Sequence, residues 1–164
     1  MLRRLTIATL LTGSAILASC THEGGDVALQ TTTFPAEFGF HYLDEGPSAK
    51  LAYGEANSDN VGLMLQCSKG PKIVEVSDMV RSQAAATMTL ASSGQQSNVS
   101  MKVEPGPGAA IATGRTSAES PALAGFRKSG QIEVTYAGFK YGMAAKPQER
   151  ASVERFFAAC ERAA

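Results

Sequence analysis

Apolar residues recur at every second position in a series of short runs, and this alternation constrains the fold more than any other feature of the chain. In the first run Phe38, Phe40 and Tyr42 alternate with small or polar residues. A period of two places every second side chain on one face, which is typical of a half-buried β-strand. Strands are predicted at residues 38–42, 49–55, 61–67, 73–76, 87–91, 99–103, 109–114, 131–137 and 139–143. The connections between the early strands are short enough for antiparallel neighbours.

Two segments follow a helical period instead. Near the C-terminus, Val153, Phe156, Phe157 and Cys160 fall at positions i, i+3, i+4 and i+7, which form one face of a helix. A second, shorter helix is predicted after Ser120, which can serve as the N-cap; Pro121 is then the first helical residue, and Gly130 ends the helix. The stretch 84–86 is compatible with either a strand or a helix. The predicted fold is therefore mainly β (α+β): an antiparallel β-sandwich or a curved sheet, with a short helix near 121–129 and a C-terminal helix at 147–162.

The N-terminal segment is typical of an export signal. Arg3 and Arg4 are followed by a run of about 13 apolar or small residues, which is too short to span a bilayer. The run ends in Leu17-Ala18-Ser19-Cys20, and together these features resemble the signal peptide and lipobox of bacterial prolipoproteins. The resemblance covers residues 1–20 and implies cleavage before Cys20 and a lipid on its sulfur; an ordinary secretory peptide with a chance cysteine is the alternative.

This organisation predicts three parts: a signal peptide at 1–19, a flexible tether at 20–34 and a single β-rich domain at 35–164. The tether is expected because the sequence from Thr21 to Thr33 is polar, contains glycine and has no sustained period. The expected location is the cell envelope, facing the periplasm, with the lipid as the membrane contact. Thr21 follows the cysteine where an aspartate would indicate inner-membrane retention, so the outer membrane is favoured. The scattered lysines and arginines do not form the basic face of a nucleic-acid-binding protein.

If Cys20 carries lipid, as the resemblance implies, then Cys67 and Cys160 remain in a compartment that permits oxidation. A disulfide between them is expected, with two buried free thiols as the alternative. Cys67 lies in phase with the apolar side of its strand and Cys160 with that of its helix, so both are expected to face the same core.

The candidate parts of an active site are few. His41 is the histidine of the predicted domain, and on paper it could combine with Ser58 and either Asp59 or Asp78, but it is out of phase with its apolar neighbours and is expected on the outer face. Glu55, Asn57 and Asp59 begin like a calcium loop, whereas the glycine and the closing acid of such a loop are misplaced. No catalytic residue, metal or cofactor is therefore predicted.

The predicted function is non-catalytic contact with another envelope protein, in an accessory or structural role. From Leu51-Ala52-Tyr53-Gly54 to Cys67, and again in Phe156-Phe157-Ala158-Ala159-Cys160, the chain resembles small exported bacterial proteins of uncharacterised function. The alternatives are an inhibitor of a foreign hydrolase, a carrier of an apolar ligand, and a hydrolase. The architecture is similar to that of envelope lysozyme inhibitors, but Ser93-Gly94 is followed by Gln95-Gln96-Ser97 and not by their Ser-Gly-x-x-Tyr loop.

Overall fold

The computed structural model describes residues 29–79, 85–105 and 110–162, and every structural statement below concerns these residues. They form ten strands, two α-helices and a short 3₁₀ turn. The strands are β1 (Gln30–Thr32), β2 (Gly39–Asp44), β3 (Ser48–Gly54), β4 (Val61–Ser68), β5 (Ile73–Met79), β6 (Thr87–Ser92), β7 (Gln95–Pro105), β8 (Ala110–Ser117), β9 (Gln131–Tyr136) and β10 (Phe139–Ala144). The helices are α1 (Pro121–Ser129) and α2 (Arg150–Glu161), and the 3₁₀ turn (Pro147–Glu149) leads into α2.

All ten strands belong to one curled sheet in the order β1-β10-β9-β6-β7-β8-β5-β4-β3-β2. The long strand β7 pairs with β6 through its first half and with β8 through its second half, so it connects the two halves of the sheet. The result is a half-barrel, which confirms the predicted mainly β fold and selects the curved sheet from its two alternatives. Every strand pair is antiparallel except β1 with β10.

Both helices pack against the inner face of this sheet. Helix α1 contacts β6, β7 and β9, whereas α2 contacts β2, β3 and β4. The predicted stripe of Val153, Phe156, Phe157 and Cys160 is buried, as are Leu123 and Phe126 of α1. One continuous core of buried apolar side chains thus joins both helices to both halves of the sheet. The predicted C-terminal helix is confirmed, with its first three residues as the 3₁₀ turn.

The domain begins earlier than expected. The predicted tether extended to residue 34, but Gln30–Thr32 forms β1 and pairs in parallel with β10. The Phe34 ring also packs on Phe38 and Tyr141, at 5.4 Å between ring centroids in each case. Strand β1 was not predicted because a three-residue edge strand is held by backbone hydrogen bonds, so its apolar side chains need not alternate with polar ones. The predicted signal peptide and Cys20 lie outside the described residues.

Two hairpins of the sheet close through tight two-residue turns, and the first of them brings the facing ends of β6 and β7 closer together than predicted. The predicted strands end at residue 91 and resume at residue 99, whereas the structure makes a two-residue turn at Ser93-Gly94, with φ angles of 50° and 75°. Ser92 therefore pairs directly with Gln95. Ala137-Gly138 makes the same kind of turn between β9 and β10, with φ angles of 51° and 83°. Positive φ at both central positions matches the twist of the flanking strands.

The N-terminus of α1 is stabilised differently from the prediction. Ser120 makes no side-chain capping bond. The Ser97 hydroxyl of β7 instead accepts a hydrogen bond of 3.1 Å from the Ala122 amide. At the other end Gly130 is in the left-handed region with φ 72°, and its amide bonds the Phe126 carbonyl at 2.7 Å. The guanidinium of Arg150 donates to the Lys128 carbonyl at 2.7 Å, so α2 caps the C-terminus of α1.

Replacing Gly130 with alanine is expected to lower the free energy of unfolding by about 2–3 kcal/mol. The left-handed backbone costs a non-glycine residue roughly 1–2 kcal/mol, and the new methyl group would also overlap the Arg150 guanidinium. Gly138 provides the matched control, because its φ is +83° and no described atom lies within 4 Å of the position that an alanine methyl group would take. Denaturant unfolding should show a smaller loss for Gly138→Ala than for Gly130→Ala; equal losses would contradict the role given to Arg150.

Candidate functional site

The predicted cysteine pair meets where α2 packs on the sheet. Cys67 on β4 and Cys160 on α2 form a disulfide, with their Cα atoms 5.7 Å apart. Both residues are buried, and the Gly70 amide donates to the Cys160 carbonyl beside the bridge. The core-facing sides of β4 and α2 therefore bring the two cysteines together, as expected from the spacing of their apolar residues. The bridge fixes the C-terminal helix to the middle of the chain.

A buried carboxylate connects the two halves of the sheet. Asp78 lies on the inner face of β5, in phase with the buried Val74 and Val76, and is only 6% exposed. The Tyr141 hydroxyl of β10 donates a hydrogen bond to it across the interior. The pKa of the nearby Tyr136 hydroxyl is raised, mainly because it is buried and also because of the Asp78 charge; a hydrogen bond with the Ala85 backbone partly offsets this rise. This cluster was not predicted from the sequence, because an aspartate at the end of a strand is usually solvated.

His41 lies on the outer face of β2, as its phase predicted. It lines an open hollow of about 590 Å³ together with Ser58 and Asp59, but not with Asp78. The His41 Nε2 atom is 3.1 Å from the Gly54 carbonyl, which can only accept, so Nε2 carries the proton. The Ser58 hydroxyl accepts a hydrogen bond from the Asn60 amide within its own turn. The three side chains thus share a surface while His41 and Ser58 are both engaged with the backbone.

A second open hollow lies on the outer face of β6, β9 and β10. It also measures about 590 Å³. Its lining residues are Ala91, Ser92, Ser93, Gly94, Gln131, Ile132, Glu133, Gly142, Met143 and Ala144. Small residues form much of the floor, and Glu133, which forms an ion pair of 3.0 Å with Lys140, stands at one side. We call this feature the outer hollow. A methyl group added at Gly142 would have no described atom within 4 Å, so the space above this residue is open.

The aromatic residues of the strands lie mostly in the core. Phe38, Phe40 and Tyr53 are buried, as is Tyr141, whose neighbour Lys140 points outward to Glu133. The Tyr53 hydroxyl has a raised pKa because of its burial and the nearby Glu149 charge. These side chains therefore hold the half-barrel together.

Within the described part of the chain, no three His, Cys, Asp or Glu side chains gather as a potential metal site. The helices described here are all too short or too polar to cross a bilayer. No known protein-family model matches the chain, and no curated protein or solved structure is recognisably similar to it.

Proposed function

We propose that this chain is an exported lipoprotein, held in the bacterial envelope through Cys20, whose domain works by non-catalytic contact with another envelope protein. The observation that carries the export is the buried Cys67–Cys160 disulfide. Disulfides persist in oxidising compartments and are rare in the cytosol, so the bridge supports the same destination as the leader. The two features are independent, because one lies in residues 1–20 and the other in the folded domain.

The outer hollow is the surface on which the proposed partner would bind. It lies where β6 and β10 end and β9 begins, whereas β1 starts beside the Ala137-Gly138 turn at the other end of the same strands. The described chain therefore enters β1 at the end of the sheet opposite to the outer hollow. The Ser93 hydroxyl, the Gln131 amide and the Glu133 carboxylate offer hydrogen-bonding groups around a floor of small residues. This arrangement suits a projecting polar loop of a partner protein.

Gly142→Arg is expected to abolish partner binding without unfolding the domain. The arginine side chain would extend into the outer hollow, because Gly142 lines it and no described atom lies within 4 Å of the position that a Cβ would take there. The measurement is crosslinking in intact cells followed by detergent extraction and identification of the joined protein. Ser100→Arg, on the outer face of β7 but not in the lining of the hollow, is the matched control. A partner retained equally by both variants would remove the outer hollow from the proposal, and a chain that stays alone in the unmodified protein would contradict protein contact itself.

A further inference from the structure

The direction of β1 fixes the end of the half-barrel from which the anchor segment leaves. The Gln30 amide donates to the Gly138 carbonyl at 2.9 Å, and β1 then runs parallel to β10. The residues preceding Gln30 therefore leave beside the Ala137-Gly138 turn. We call this the anchor-side end.

Exposed apolar side chains are concentrated at the same end. Strand β5 finishes there with Met79, which is the neighbour of Ile111 at the beginning of β8. Met79 also lines a small cleft with Ala137 of the turn between β9 and β10 and with Phe139, the first residue of β10. In the described chain six large apolar side chains are exposed, and four of them lie at this end: Leu29, Met79, Val103 and Ile111. The other two, Leu43 and Ile73, lie at the end of the half-barrel opposite to the anchor-side end.

The anchor segment limits how far this end can lie from the lipid. Ten residues separate Cys20 from Gln30. Even a fully extended chain of that length spans at most about 35 Å, because each residue contributes about 3.3–3.6 Å. If Cys20 carries the proposed lipid, the anchor-side end thus stays within about 35 Å of the bilayer surface.

We propose that the anchor-side end rests on the bilayer surface, with Met79 and Ile111 in contact with the lipid. Apolar side chains gain free energy when they leave water, and apolar groups at a membrane surface lie ~5–10 Å into the headgroup region. The inference depends on the proposed lipidation and adds an orientation to it. In that orientation the outer hollow points away from the membrane, where a partner protein can reach it.

The chain contains no tryptophan, so one introduced tryptophan reports its own surroundings. Ile111→Trp and Ile73→Trp form a matched pair, because the two isoleucines are 44% and 43% exposed at opposite ends of the half-barrel. Each full-length variant, lipidated by its host, would be placed in phosphatidylcholine vesicles with chain-brominated lipid, and fluorescence quenching would be measured. Met79→Trp provides a second reporter at the anchor-side end.

Quenching should be roughly two-fold or more stronger at position 111 than at position 73, with a blue-shifted emission, because apolar groups seated at the interface reach the chain region. Equal quenching at both positions in a protein that floats with the vesicles would overturn the inference while leaving the anchor intact. A blue shift at 111 without quenching would assign this end to a protein contact and also overturn it. A chain that does not float would refute the anchor, and the inference with it.

Discussion

Replacing both Cys67 and Cys160 with alanine is expected to lower the free energy of unfolding by about 4–5 kcal/mol. The two cysteines are 93 residues apart in sequence, so the bridge removes a large part of the conformational freedom of the unfolded chain. It also joins α2, whose Phe156 and Phe157 side chains are buried, to the strand on which they pack. Alanine is chosen because a serine at either position would bury a hydroxyl group in the core.

The measurement is denaturant unfolding of the purified protein, with and without reductant. The unmodified protein should lose stability when it is unfolded in reductant and approach the double variant, whereas the double variant should not respond. Because both sulfurs are buried, reductant should act only after unfolding begins. A loss below about 1 kcal/mol would show that the core fixes α2 without the bridge, since long loops should give several times more.

Tyr141→Phe is expected to lower the free energy of unfolding by about 2–3 kcal/mol. The substitution removes the hydroxyl that donates to Asp78 and leaves a buried carboxylate without that bond. A buried acceptor that loses its donor costs about 1–3 kcal/mol, and more when the acceptor is charged. The effect should also loosen the contact between β5 and β10, which belong to different halves of the sheet.

The structure contains a matched control for this substitution. The Tyr42 hydroxyl also donates to an aspartate, Asp44, at 3.2 Å, but this pair is exposed to solvent. Tyr42→Phe should therefore change stability by no more than about 0.5 kcal/mol. A double-mutant cycle with Asp78→Asn should give a coupling of at least about 1 kcal/mol for the buried pair. Additive effects of the two buried substitutions would contradict the account.

The elements that could be predicted from the sequence are those whose side chains repeat with a fixed period. The helical spacing of four residues predicted α2: Val153, Phe156, Phe157 and Cys160. The alternation in β2 to β5 predicted four antiparallel neighbouring strands, and the structure confirms this arrangement. Each period indicates which side chains face the core, and both cysteines are among them. A disulfide between Cys67 and Cys160 could therefore be predicted for an oxidising compartment. Strand order in the second half of the sheet did not follow, because β6 pairs with the distant β9 as well as with β7.

The features that could not be predicted depend on contacts between distant segments. The Ser97 hydroxyl caps α1 only because β7 passes beneath that helix, and no local pattern distinguishes it from Ser120. Asp78 continues the inner-face phase of Val74 and Val76, and this parity is the one signal that could have revealed a buried carboxylate. The outer hollow is formed by β6, β9 and β10 together, so its floor of small residues has no signature within any single strand.

Intact-mass analysis of the protein purified from its native membrane tests the central claim most directly. The expected mass is that of a chain that begins at Cys20, carries a diacylglycerol thioether on that sulfur and an acyl group on its amine, and has two hydrogen atoms fewer than the dithiol form because Cys67 and Cys160 are bridged. A mass that corresponds to an unmodified Cys20, or to a chain that retains residues 1–19, would contradict the proposed anchoring.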